Sequence, residues 1–212
     1  ILVGILGTYF HLVRAGIIGT VAQGRTVDAL IWAPPFLGPS FMILTGALGI
    51  SAAWIEHPTN SGRLRLLGSA HVQMPYNKTR AYFLIVAMFN LGTTISSVMD
   101  HARLNFDNPY VWLPTVSGLF AVVAAVALGF ITKPTRTDLV TYATATGMQV
   151  VIGLIGGLLH LNSTLLSQPA IVVERFIRGS PLLAPFLIAF VGFLGLIVLL
   201  DPAEEAESPP TD

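Results

Sequence analysis

The stretch AYFLIVAMFNLGTTISSVM, residues 81–99, contains no charged side chain and is as long as a helix that crosses a membrane. An α-helix rises about 1.5 Å per residue, so about 20 apolar residues cover the ~30 Å hydrocarbon core of a bilayer. The sequence therefore predicts an all-α, polytopic integral membrane helix bundle. Five similar apolar stretches bring the expected number of transmembrane helices to about six: residues 1–21, 35–55, 111–131, 139–160 and 182–200.

The composition excludes several classes of protein. Hydrophobic residues make up 53% of the chain and charged residues 10%, with a mean hydropathy of +0.73, which is typical of a membrane protein. Eleven basic and eleven acidic residues leave no net charge, so no nucleic-acid partner is expected. Cysteine is absent, which excludes disulfides, cysteine-ligated iron–sulfur clusters and thioether-linked haem. We expect one six-helix domain over residues 1–200 and an acidic, disordered C-terminal tail over residues 201–212.

The loops predict the orientation. The chain begins at Ile1 inside an apolar run, so we expect residues before it, and the run is too long for a signal-peptide core. Six spans put both termini on the same side as the second and fourth connections, which carry more basic residues than the opposite loops. The positive-inside rule therefore favours cytoplasmic termini, in a bacterial or archaeal cell membrane. The basic residues are Arg63, Arg65, Lys78, Arg80, Lys133 and Arg136 on that side, against Arg25, Arg103, Arg175 and Arg178.

Two connections and two small-residue patterns predict local structure. LRLLGSAHVQM, residues 64–74, and QPAIVVERFIRGSP, residues 168–181, are each predicted to form an amphipathic helix at the membrane surface. Gly153 and Gly157 in the fifth span share one helix face, as do Thr45, Gly49 and Ala53 in the second. Small residues let helix backbones approach closely in a bilayer, so we expect these faces to pack within the molecule.

Polar residues inside the spans are the candidates for function, because hydrocarbon makes them costly. Two helix faces, on the third and fifth spans, each end in a histidine. Odd-numbered spans end on the same side of the membrane, so His101 and His160 are predicted at equal depth near the non-cytoplasmic surface. His11 and Arg14 of the first span are expected to line the same interior. The remaining members of the predicted polar interior are Asn90, Thr94, Ser97, Thr146 and Gln149.

Neutral imidazole ligates haem iron and transition metals. His101 and His160 therefore predict either a b-type haem, with an arginine pairing a propionate, or a divalent metal held together with Asp100. Quinone is a third cofactor, whose sites leave no spacing signature. The competing interpretation is that these are ordinary interfacial histidines satisfied by water or by a hydrogen bond to a neighbouring helix.

The leading predicted function is an integral membrane subunit of an electron-transfer system. One alternative is a non-catalytic accessory or structural subunit of a larger membrane complex, and another is a small-molecule permease or channel with polar stripes along its pathway. The expected partners are the lipid bilayer and other membrane subunits. The sequence shows no hydrolase, nucleotide-binding or metalloprotease motif, so it assigns no enzymatic reaction.

Overall fold

The computed structural model describes residues 1–14, 16–18, 37–52, 54–66, 68–166, 170, 181 and 183–200. Helices account for 74% of them. The described part of the chain contains six α-helices: α1 (Leu2–Arg14), α2 (Leu37–Ala52), α3 (Lys78–Ala102), α4 (Trp112–Phe130), α5 (Arg136–Leu161) and α6 (Leu183–Val198).

Three helical segments are long and apolar enough to cross a membrane. The other three apolar helices are shorter, at Leu2–Val13, Leu37–Ile50 and Leu183–Val198. The all-helical prediction is therefore confirmed in its main part, and three of the six predicted spans are long and apolar enough to cross a membrane in the described ranges. The predicted C-terminal tail and nearly all of the predicted helix at residues 168–181 lie outside those ranges. The three long segments are Lys78–Ala102, Pro109–Phe130 and Arg136–Leu165.

Polar caps fix where the long helices begin. The side chain of Asn77 accepts a hydrogen bond from the backbone N–H of Arg80 at 2.9 Å and starts α3. At the start of α5, Thr135 and Asp138 form a capping box in which each side chain bonds the other residue's backbone N–H. Such caps satisfy N–H groups that the first turn of a helix leaves without partners.

Helices α3 to α6 form a four-helix arrangement. α3 packs on α4, α4 on α5, α5 on α6, and α6 on α3, so α3 and α5 are diagonal partners. Consecutive helices run in opposite directions, which makes α3 and α5 parallel. The ring of Phe83 on α3 meets that of Tyr142 on α5 edge-on, with centroids 4.9 Å apart. Around this pair lies the largest apolar core: Val86, Ala87, Ala121, Ala124, Ala125, Leu128 and Ala145.

Glycines allow a close approach of the backbones of α5 and α6. A Cβ on Gly153 would lie 2.4 Å from the backbone nitrogen of Ala189, and one on Gly157 would lie 2.6 Å from the ring of Phe186. The prediction that the glycine face of the fifth span packs within the molecule is therefore confirmed, and its neighbour is α6.

The α1–α2 pair corrects the second small-residue prediction. Among the described residues, no atom lies within 4 Å of a Cβ built on Gly49, so the predicted face of Thr45, Gly49 and Ala53 is wrong at its central residue. The close approach lies instead at Gly46, which meets Ile1, and at Gly4, which meets Ile43. The contact therefore lies on a neighbouring face of α2 and not on the predicted one.

The connection between α2 and α3 is a small antiparallel sheet and not the predicted amphipathic helix. Its strands are β1 (Ile55–Glu56), β2 (Arg63–Arg65) and β3 (His71–Gln73), in the order β1–β2–β3. Leu64 is buried between two exposed arginines, an alternation of period two that suits a strand. Gly68, with φ of +58°, lies in the turn between β2 and β3.

Candidate functional site

The predicted histidines lie at the same end of the diagonal helices α3 and α5. The contact of Phe83 with Tyr142 sets the register of these parallel helices. Eighteen residues later, which is five full turns, each helix returns to the same face about 27 Å higher. His101 and His160 occupy those two positions, and they interact electrostatically. The structure therefore places both histidines at one end of the bundle, at equal height.

Each histidine ring is held by a hydrogen bond at Nδ1. Nδ1 of His160 donates to the backbone carbonyl of Pro181 at 3.1 Å, and Nδ1 of His101 lies 3.3 Å from Oγ of Ser97. Both rings are partly buried. Ligating histidines usually have one ring nitrogen fixed in this way, because the bond sets the tautomer and leaves the other nitrogen for the ligand. In both rings that second nitrogen is Nε2.

The carboxylate of the predicted metal set lies beside the histidines but is engaged elsewhere. Asp100 forms an ion pair with Arg103 at 3.5 Å, and it also interacts electrostatically with His160. Among the residues that the structure describes, no three or more His, Cys, Asp or Glu side chains converge as metal ligands. The geometry therefore gives the divalent-metal set of His101, His160 and Asp100 no support.

Most of the predicted polar interior is satisfied within its own helix. The Thr94 hydroxyl donates to the carbonyl of Asn90 at 2.7 Å, and that of Thr146 donates to the carbonyl of Tyr142 at 2.9 Å. Hydroxyls bonded to their own helix backbone do not point at a common ligand. The exceptions are the two amides, since Asn90 Oδ1 and Gln149 Nε2 are buried without a hydrogen-bond partner.

His11 belongs to a different helix pair. α1 packs against α2, where the hydroxyls of Thr8 and Ser40 are 3.0 Å apart. His11 lies about one turn beyond Thr8, and its Nδ1 is buried with no hydrogen-bond partner in the described ranges. Arg14 ends α1, and its side chain lies outside the described part of the chain. The structure thus does not place His11 or Arg14 on the interface of α3 with α5.

Two aromatic residues at the histidine end were missed by the sequence analysis. The ring of Phe106 lies 6.5 Å from that of His101 and is stacked on Trp112 at 4.5 Å. Asn105 and Phe106 take left-handed backbone conformations, with φ of 51° and 55°. A bulky residue adopts this conformation at a cost, and such strain often accompanies functional sites. The periodicity of the sequence does not reveal this backbone conformation, because Asn105 and Phe106 follow the last turn of α3.

Comparisons with protein-family models, with curated proteins and with solved structures find no match to this chain.

Proposed function

We propose that the chain is the membrane subunit of an electron-transfer system and binds a b-type haem through Nε2 of His101 and of His160. The observation that carries this proposal is the position of the two histidines at the same end of the diagonal, parallel helices α3 and α5, where they interact electrostatically. Cofactor sites in helix bundles are built from side chains on such facing helices, directed into the core. The haem would supply one-electron chemistry, and the chain would supply its two axial ligands.

The surroundings of the histidines suit such a cofactor. The Nδ1 bonds to Ser97 and Pro181 hold both rings in one orientation, which is the role of outer partners around a ligating histidine. Arg103 lies two residues beyond His101 and already pairs with the Asp100 carboxylate. A guanidinium at this position suits a propionate, because carboxylates and guanidinium groups form strong charge-assisted hydrogen bonds.

The proposal includes all six helices as spans, with cytoplasmic termini. α6 packs along α5, and its 16 residues cover about 24 Å, most of a bilayer core.

The bundle end opposite the histidines is the more basic, which favours a cytoplasmic position. There Arg80 donates to the last carbonyls of α4, those of Gly129 and Phe130, at 3.0 and 2.9 Å. The described basic residues at this end are Arg63, Arg65, Lys78, Arg80, Lys133 and Arg136.

The test is an ultraviolet–visible spectrum of the detergent-purified protein, oxidised and then reduced with dithionite. We expect a Soret band and sharpened α and β bands on reduction. His101→Ala and His160→Ala should each abolish haem retention. His71→Ala is the matched control, because His71 is exposed on β3 and should leave the spectrum unchanged. A spectrum without a Soret band, or full haem content in both ligand variants, overturns the proposal.

The alternative functions have less support. A permease pathway needs polar groups directed into a continuous channel, whereas Thr94 and Thr146 donate to their own helices. A purely structural subunit needs no paired histidines with matched Nδ1 bonds.

A further inference from the structure

The amides of Asn90 and Gln149 lie on the same interface as the histidines, but deep in the bundle. Asn90 follows Phe83 on α3 by seven residues, and Gln149 follows Tyr142 on α5 by seven residues. Seven residues fall about 20° short of two full turns, so each amide lies on nearly the same helix face as the aromatic residue before it. Since the two rings touch, helix geometry puts both amides at the same level of the bundle, about 10 Å beyond the ring contact and close to the α3–α5 face that the rings occupy. Asn90 is 0% exposed and Gln149 is 1% exposed, so both are fully enclosed by protein.

The two amides offer complementary hydrogen-bonding atoms. Nδ2 of Asn90 donates to the carbonyl of Val86 at 3.0 Å, which fixes the amide orientation and leaves Oδ1 as an acceptor. Nε2 of Gln149 is a donor, and neither atom has a partner among the described residues. A buried amide atom without a partner is costly, and more so where the surroundings are helices in hydrocarbon.

We propose that the bundle core binds a small neutral hydrogen-bonding molecule, water, between the side chains of Asn90 and Gln149. A guest at this position must donate to Asn90 Oδ1 and accept from Gln149 Nε2, and water does both. Buried water in proteins characteristically bridges polar groups that otherwise lack partners. The site depends on neither haem nor the histidine pair, so it is tested separately from the proposed function.

Solid-state NMR of the labelled, full-length chain in phosphatidylcholine bilayers tests the proposal through magnetisation transfer from water protons. We expect rapid transfer to the side-chain amide of Gln149, comparable to that of exposed Asn162, and slow transfer to the backbone amide of Ala125, which is 0% exposed. Asn90→Leu should remove the rapid transfer to Gln149. The matched control Thr94→Val should not, because that hydroxyl already bonds its own helix.

Transfer to Gln149 as slow as to Ala125 overturns the proposal, and so does rapid transfer that survives Asn90→Leu. If Asn90→Leu does not fold, Gln149→Met read out at the amide of Asn90 gives the same test. Thermal unfolding adds a second measurement. If one water joins the two amides, Asn90→Leu and Gln149→Met should each lower the midpoint of thermal unfolding. The double variant should then lower the midpoint by less than the sum of the two single decreases. If each single variant instead raised the midpoint, the two amides would hold no water between them, and the proposal would be overturned.

Discussion

Replacing Gly153 by alanine should separate α5 from α6 and destabilise the protein. A Cβ at this position would lie 2.4 Å from the backbone nitrogen of Ala189 and 2.6 Å from the carbonyl oxygen of Pro185. Both are backbone atoms, so no side chain can rotate away to make room. Since non-bonded heavy atoms rest at about 3.5 Å, the two helices must part by about 1 Å.

The magnitude follows from this overlap and from a matched control. Overpacking of this kind costs about 1–3 kcal/mol. Gly147 is on the same helix, and no atom of the described residues lies within 4 Å of its Cβ position, so Gly147→Ala should gain about 0.5–1 kcal/mol of helix stability. The two alanine variants should therefore differ by about 1.5–4 kcal/mol in the free energy of unfolding.

Thermal unfolding in detergent micelles, followed by circular dichroism, measures the difference. At about 2–4 °C per kcal/mol for a chain of this size, the midpoint of Gly153→Ala should lie at least about 3 °C below that of Gly147→Ala. A Gly153→Ala protein as stable as Gly147→Ala would refute the proposed approach of α5 to α6.

Three further substitutions test single contacts. Ser97→Ala removes the hydroxyl at Nδ1 of His101 and should weaken haem binding about 10–100-fold, measured by titration against a competing apoprotein. Unchanged haem binding would show that Ser97 does not orient His101. Tyr142→Phe deletes a buried hydroxyl that donates to a carbonyl of α6, and should cost about 0.5–1.5 kcal/mol in denaturant unfolding. Tyr110→Phe, on an exposed ring, should cost nothing, and equal losses in the two tyrosine variants would contradict this assignment. Thr135→Ala breaks the capping box of α5 and should cost about 0.5–2 kcal/mol in the same assay, a loss that Thr135→Ser should largely avoid.

Apolar length predicted the long helices closely, because a span must be apolar along its whole length. The predicted stretch at residues 81–99 lies inside α3, and 139–160 lies inside α5. Both helices extend by about one turn beyond the apolar run, through the polar caps at Asn77 and Thr135. Length says little about short helices, which is why α1, α2 and α6 remain proposals as spans.

The same method failed where a pattern was short or fitted two structures. The segment at residues 64–74 has apolar residues at a spacing that both a helix and a strand allow. In the structure Gly68, near its centre, has a positive φ and forms the turn of a hairpin. Side-chain spacing also predicted which residues share a face but not which helix the face meets. Gly153 belongs to the face predicted to carry His160, and its close contact is with α6.

A single tertiary contact was needed to turn the sequence pattern into a site. Phe83 and Tyr142, Asn90 and Gln149, and His101 and His160 are each separated by the same number of residues along the chain. That equality is visible in the sequence, but it has no meaning until α3 and α5 are known to be parallel and diagonal. The packing of the four helices establishes this, and from the aromatic contact helix geometry carries the register two turns to the amides and five turns to the histidines. Both sites therefore rest on one register between α3 and α5, the register in which Phe83 meets Tyr142.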